Sequence, residues 1–179
     1  MTCRLTRLIN RFRRDEAGSV ETISFALWMP MVVVILLTAL EVGAYSARAT
    51  MLERAVDLVA RDIRLGTGAA PQHDTIKTQI CDRAVLVPSC ETNLRLEMLQ
   101  RDPRNWQALP ETADCTDASL PVAPVRGFET GQSNELMVLR VCAKVTPIFP
   151  ITWFSEAIHV DAAGDYSLIA ATSFVQEPL

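Results

Sequence analysis

The strongest constraint in this chain is an uninterrupted apolar stretch near its start. From Ile23 to Leu40, "ISFALWMPMVVVILLTAL", 18 consecutive residues carry no charge, and only Ser24, Pro30 and Thr38 interrupt the apolar character. At 1.5 Å rise per residue a helix of that length covers about 27 Å, close to the roughly 30 Å hydrocarbon core of a bilayer. The stretch therefore predicts a membrane-spanning helix. A cleaved secretory signal is the rival, but its apolar region usually runs about 7 to 15 residues and ends in small residues. Here Glu41-Val42-Gly43-Ala44-Tyr45 follows and leads straight into a further helical pattern. Trp28 predicts lipid or partner packing, and Pro30, which frees a carbonyl one turn earlier, predicts a kink.

Charge placement gives the span a direction. Arg4, Arg7, Arg11, Arg13 and Arg14 precede it, against only Asp15 and Glu16, whereas residues 41–179 carry 12 basic and 18 acidic side chains. Positive charge gathers on the cytoplasmic side, so residues 1–18 are expected there and the rest across the membrane. An acidic major part argues against a phosphate-binding surface, which needs clustered Lys and Arg, so no nucleic-acid partner is expected.

Beyond Tyr45 the apolar residues Met51, Leu52, Ala55, Val56, Leu58, Val59 and Ile63 recur at three- and four-residue spacings. That is one helical face, with Arg48, Glu53, Arg54, Asp57, Arg61 and Asp62 between. The helix is predicted to run from about Val20 to Leu65, to stop at Gly66-Thr67-Gly68 with Pro71 behind, and to pack its second half on its own domain. Asp74 or Thr75 is expected to cap a short helix sharing Ile76, Ile80, Ala84 and Val85 on one face. "NLRLEMLQ" (93–100), "ELMVLRVCAKV" (135–145) and "YSLIAATSFV" (166–175) read as strands. Residues 101–134, with Pro103, Pro110, Pro121 and Pro124, read as a long loop. "TPIFPITWFSEAI" reads as an apolar loop that inserts in the domain's own core or meets a neighbour, its own core being favoured because contiguous exposed apolar patches are uncommon.

Cys3 precedes the span, and Cys81, Cys90, Cys115 and Cys142 follow it. An even number in an oxidising compartment predicts two disulfides. Of three connectivities the favoured one is Cys81 with Cys90, closing a short loop across Val87-Pro88-Ser89, and Cys115 with Cys142, tying an irregular segment to a strand. A structural zinc site would use short Cys-x2-4-Cys pairs, which are missing. His73 and His159 are isolated, and there is no Gly-rich phosphate loop, Gly-x-Ser-x-Gly or His-Glu-x-x-His. No catalytic residue, metal ligand or cofactor is assigned.

"RFRRDEAGSVETISFALWMP" resembles the N-terminal signature of the TadE-like small proteins of the Tad (Flp) pilus assembly system: a basic stretch, a charged pair, a glycine and an apolar segment carrying Trp-x-Pro. "ICDRAVLVPSC", "LRLEML", "NELMVLRVCAKVTPIFP" and "YSLIAATSFVQEP" resemble the alphaproteobacterial variant, so the likeness covers nearly the whole chain. The resemblance implies a bitopic inner-membrane minor pilin or pseudopilin of a system that builds filaments for adhesion and biofilm formation. Its implied partners are pilin-like subunits, the membrane assembly platform and a prepilin peptidase. Cleavage in such systems maps to Gly18, leaving Ser19 first. Their glutamate usually stands at the fifth mature position; here that is Ile23, and Glu21 is third. Glu21 is the candidate for setting axial register through a neighbour's N-terminal amine, against the plainer reading of a carboxylate at the headgroups.

The expected fold class is α+β: a leader (1–18), a transmembrane helix (19–43), its periplasmic extension (44–65) and a periplasmic domain (66–179) with a small antiparallel sheet. Two functional readings are open. One is a non-enzymatic filament-assembly component; the other is a membrane-tethered periplasmic binding or scaffold domain.

Overall fold

The computed structural model describes residues 19–66, 72–115, 127–158, 160–161 and 163–177. Gly18, the expected cleavage position, lies outside them, as does His159. The chain divides into two compact units, residues 1–40 and 41–179. One helix, α1 (Ser19–Arg64), belongs to both.

In the first unit α1 is apolar on every side. Ile23, Phe25, Leu27, Trp28, Ile35, Leu36 and Leu40 are all exposed, and the most apolar 18-residue window has a mean hydropathy of 2.4 with none of it buried. A helix that is apolar all round and uncovered lacks the one-sided stripe that packing on a soluble core produces. It is long and apolar enough to cross a membrane. The helix continues through Pro30.

In the second unit α1 becomes one-sided. Leu52, Ala55, Val56, Val59 and Ala60 are buried, with Tyr45, Ala49 and Ile63 packed beside them. Gly66, at φ +60°, closes the helix by donating its N–H to the Ile63 carbonyl, a left-handed position that glycine takes without a Cβ penalty. The sequence expectation of self-packing for this half holds.

The rest of the unit supplies the surface on which that stripe lies. α2 (His73–Arg83) and the single turn α3 (Cys90–Asn93) lead into β1 (Leu94–Arg101), followed by β2 (Leu136–Val145), the short α4 (Trp153–Ala157) and β3 (Tyr166–Val175). The three strands form an antiparallel sheet in the order β1-β2-β3. The architecture is α+β, as expected. Capping of α2 differs from the sequence expectation: the helix starts at His73, after an extended Gln72 whose side chain makes no capping bond, and neither Asp74 nor Thr75 occupies the cap.

Strand alternation sorts the two sheet faces. Leu94, Leu96 and Met98 of β1, Met137, Leu139, Val141, Ala143 and Val145 of β2, and Tyr166, Leu168, Ala170 and Phe174 of β3 share one face and build the core with α1 and α2. On the opposite face Glu97 stands directly across from Arg140, and the two form a buried ion pair. Arg140 also donates to the Pro110 carbonyl at 2.9 Å and the Thr112 carbonyl at 3.2 Å, holding the irregular 102–115 segment over the sheet. Cys115–Cys142 fastens the same segment to β2, and Cys81–Cys90 joins α2 to α3. This is the favoured pairing of the sequence reading. The central strand is thus covered on both faces, which explains its nearly continuous burial.

The outer edge of β1 is also protected. The Met98 N–H donates to the Gly127 carbonyl at 2.9 Å, and Glu129 returns its N–H to the Met98 carbonyl at 2.9 Å. Gly127 sits at φ +65°, a left-handed position that favours glycine, and a Cβ there would have to displace only the tip of the Leu99 side chain.

Candidate functional site at the start of the domain helix

The most unusual polar side chain in the second unit is its first. Glu41 is 1% exposed. It occupies the position that begins the inward stripe of α1, one turn ahead of Tyr45 and two ahead of Arg48 and Ala49. A carboxylate in that place is costly unless its oxygens are occupied. Both are: the Ile148 N–H donates to Oε1 at 3.1 Å, and the Phe149 N–H donates to Oε2 at 2.8 Å. The backbone that follows β2 is thereby tied to the start of the domain helix, 107 residues away in sequence.

The next turns of the same face extend the tie. The Tyr45 ring meets Phe154 edge-on at 5.5 Å and Tyr166 at 5.4 Å. The Arg48 Nη1 donates to the Tyr166 hydroxyl at 2.8 Å. Burial pushes the Tyr166 phenol up from its ordinary value, the Arg48 guanidinium opposes that shift, and the nearby Glu41 carboxylate adds to it. Positions 41, 45 and 48 therefore hold, in succession, the loop backbone, an aromatic of α4 and the first residue of β3.

The loop between β2 and β3 is braced from within. Thr152 and Ser155 are buried; the Thr152 Oγ1 and the Ser155 Oγ each donate to the Phe149 carbonyl at 3.0 Å, and they lie 3.1 Å from each other. Ile151, at 81% exposure, and Trp153, at 68%, point away, as does Ile148. The sequence expectation that this apolar loop fills the domain's own core is met by Pro147, Phe149, Phe154 and Ile158, which are wholly or partly covered, Ile158 against the core cluster itself. The correction has a physical reason: the two Glu41 bonds and the buried hydroxyls fix the backbone so that alternate apolar side chains must face outward.

After this loop, Asp161 organises the turn into β3. Lys144 donates to its Oδ2 at 2.6 Å, and the Ala163 and Asp165 N–H groups donate to its Oδ1 at 3.0 and 2.9 Å. The Lys144 bond, helped by the Asp165 amide, holds the Asp161 carboxyl below its ordinary value.

The sequence-predicted positions are dispersed. Ser19 begins α1, Glu21 lies in its first turn and Pro30 lies within its apolar part. The four cysteines are structural staples of the second unit, away from Glu41 in sequence and tied to α2, α3, β2 and the 102–115 segment. Glu41 was not singled out by sequence reasoning. Its only signal is position: a lone carboxylate directly after an 18-residue apolar stretch, in phase with the inward stripe behind it. His73 bonds Asp74 at 2.9 Å and meets Phe128 edge-on, which accounts for its ring. Among the described residues no three His, Cys, Asp or Glu side chains gather as a metal site. Glu41, with both oxygens on backbone amides, is arranged as a clamp. Comparison with protein-family models, with curated proteins and with solved structures finds no match.

Proposed function

We propose that this protein is a non-enzymatic, membrane-anchored component of Tad (Flp) pilus biogenesis: a TadE-like minor pilin or pseudopilin that helps assemble or anchor the surface filament used in adhesion. In this reading the chain sits in the bacterial inner membrane with residues 1–18 in the cytoplasm and the disulfide-bonded domain in the periplasm, which matches the arginine-rich start and the oxidising environment two disulfides need. The partners are pilin-like subunits, the membrane assembly platform and a prepilin peptidase.

The observation that carries the proposal is the continuity of α1. One 46-residue helix supplies an uncovered apolar half and then the central core element of a small domain. A domain merely tethered to a membrane needs no such continuity, because a flexible linker serves it equally well. A subunit that packs laterally with other long helices uses one continuous helix for both parts.

The test is complementation of a deletion strain, reading the number of surface filaments. The full chain restores filaments. A version in which a cleavable secretory signal replaces residues 1–40, releasing the domain into the periplasm, does not. Restoration by the released domain would refute lateral helix packing and leave a binding or scaffold domain. Glu21→Ala, if Glu21 sets register, inserts normally and lowers filament number; normal numbers would remove Glu21 from the mechanism.

A further inference from the structure

The segment that leads from β2 into α4 has the reverse of the polarity expected on a water-facing surface. Its hydroxyls, Thr152 and Ser155, are buried and bonded to the Phe149 carbonyl, while Ile148, Ile151 and Trp153 are turned out. Exposed apolar side chains scattered singly need no explanation, but here three of them fall within six residues of a loop whose backbone is fixed from inside. The fixing point decides what covers them. Ile148 and Phe149 are held by Glu41, and Glu41 follows Leu40, the last residue of the uncharged apolar stretch, with no residue between. Whatever the tilt of the helix in the bilayer, the amides that carry this loop are bonded to the residue at which the apolar segment ends.

We infer that the 148–153 loop is a second membrane contact, in which Ile148, Ile151 and Trp153 enter the boundary between headgroups and acyl chains beside the exit of α1. The inference rests on the reading of residues 20–40 as a membrane span. Tryptophan is the side chain suited to that depth, with an apolar ring body and an indole N–H that stays hydrated. An apolar face that penetrates only about 5–10 Å fits a loop that exposes three large side chains and keeps its backbone bonded within the protein. The Glu41 clamp then has a purpose beyond packing: it fastens the loop backbone to the residue at which the apolar segment ends.

The chain contains three tryptophans, Trp28, Trp106 and Trp153, all exposed, so phenylalanine replacements leave the fold intact. The full chain with W28F and W106F, reconstituted in phosphatidylcholine–phosphatidylglycerol vesicles, reports on Trp153 alone; with W106F and W153F it reports on Trp28. Quenching is compared between lipids brominated near the headgroup and lipids brominated near the bilayer centre. Trp28 is expected to be quenched by the deep bromines. Trp153 is expected to be quenched at least roughly twofold more by shallow than by deep bromines, with its emission moved to the blue of exposed tryptophan, as an interfacial side chain requires. If Trp28 is quenched and Trp153 is untouched by either lipid, the loop contact is overturned and the patch belongs to a protein partner. If Trp28 is not quenched at all, the span itself is wrong, a different failure that the same two variants identify.

Discussion

Replacing Glu41 by alanine isolates the part of the structure on which the rest depends. The substitution removes the acceptors that, among the described residues, the structure gives to the Ile148 and Phe149 N–H groups. A fully buried amide left without a partner costs about 1–3 kcal/mol, and these two, which are part-buried, would together cost no more than twice that if nothing moved. The loop can relax by opening toward solvent, and the buried carboxylate's own desolvation cost disappears, so about 2–3 kcal/mol of local stability is the expected loss. At about 1.4 kcal/mol per decade, this corresponds to a rise of about 30- to 150-fold in amide exchange at Ile148 and Phe149. Glu41→Gln keeps one carbonyl oxygen and presents an amide donor to the second N–H, so roughly half the loss, near tenfold, is expected. The assay is hydrogen exchange on the full chain in detergent micelles, read by fragmentation across 147–155, with the β2 amides as internal control. Wild-type exchange at Ile148 and Phe149 in Glu41→Ala would refute the clamp.

The two disulfides should differ in worth. The closed loops span 9 and 27 residues, and loop-closure entropy assigns about 2.6 and 3.6 kcal/mol to them. Cys115→Ser with Cys142→Ser should therefore lower the denaturant midpoint more than Cys81→Ser with Cys90→Ser; the reverse order would show that the 102–115 segment contributes little. Glu97→Ala leaves Arg140 buried beside two carbonyls and should cost about 3 kcal/mol in chemical unfolding, whereas an effect below about 1 kcal/mol would mean the pair is hydrated. Asp161 gives a pH signature. Its carboxyl is held low by Lys144, so its contribution is present above the unfolded value of about 3.9 and is lost as pH falls through the lower folded value. The stability gap between wild type and Asp161→Asn should accordingly be present at neutral pH and close in acid; a gap that widens as pH falls would reverse the assigned sign.

What the sequence made legible is what local periodicity encodes. The apolar stretch, the stripe from Met51 to Ile63 and the alternation in "NLRLEMLQ" and "YSLIAATSFV" each repeat with the period of their element, and the helix and strands begin and end within a few residues of the expected limits. Pro103 and Pro110 stand in an irregular stretch, as read, while Pro121 and Pro124 lie outside the described residues. The Glu97–Arg140 pair was hidden because it depends on strand register, and register is a relation between residues 43 apart. Glu41 was hidden more deeply. Its partners are backbone amides, which leave no trace in residue identity, and a glutamate after an apolar run looks the same whether it meets water or a loop. The outward face of Ile151 and Trp153 follows from that missed clamp, so one unseen contact accounts for the error about the 146–158 loop.

The central claim, a membrane subunit of pilin type, is tested most directly by the intact mass of the chain recovered from membranes without reductant, from strains with and without the prepilin peptidase. The account predicts that residues 1–18 are lost only where the peptidase is present, with Ser19 as the new first residue, and that the remaining mass falls short of the reduced value by the hydrogens of two disulfides. Full-length chain in both strains would contradict it, leaving a permanent single-span protein whose domain acts as a scaffold.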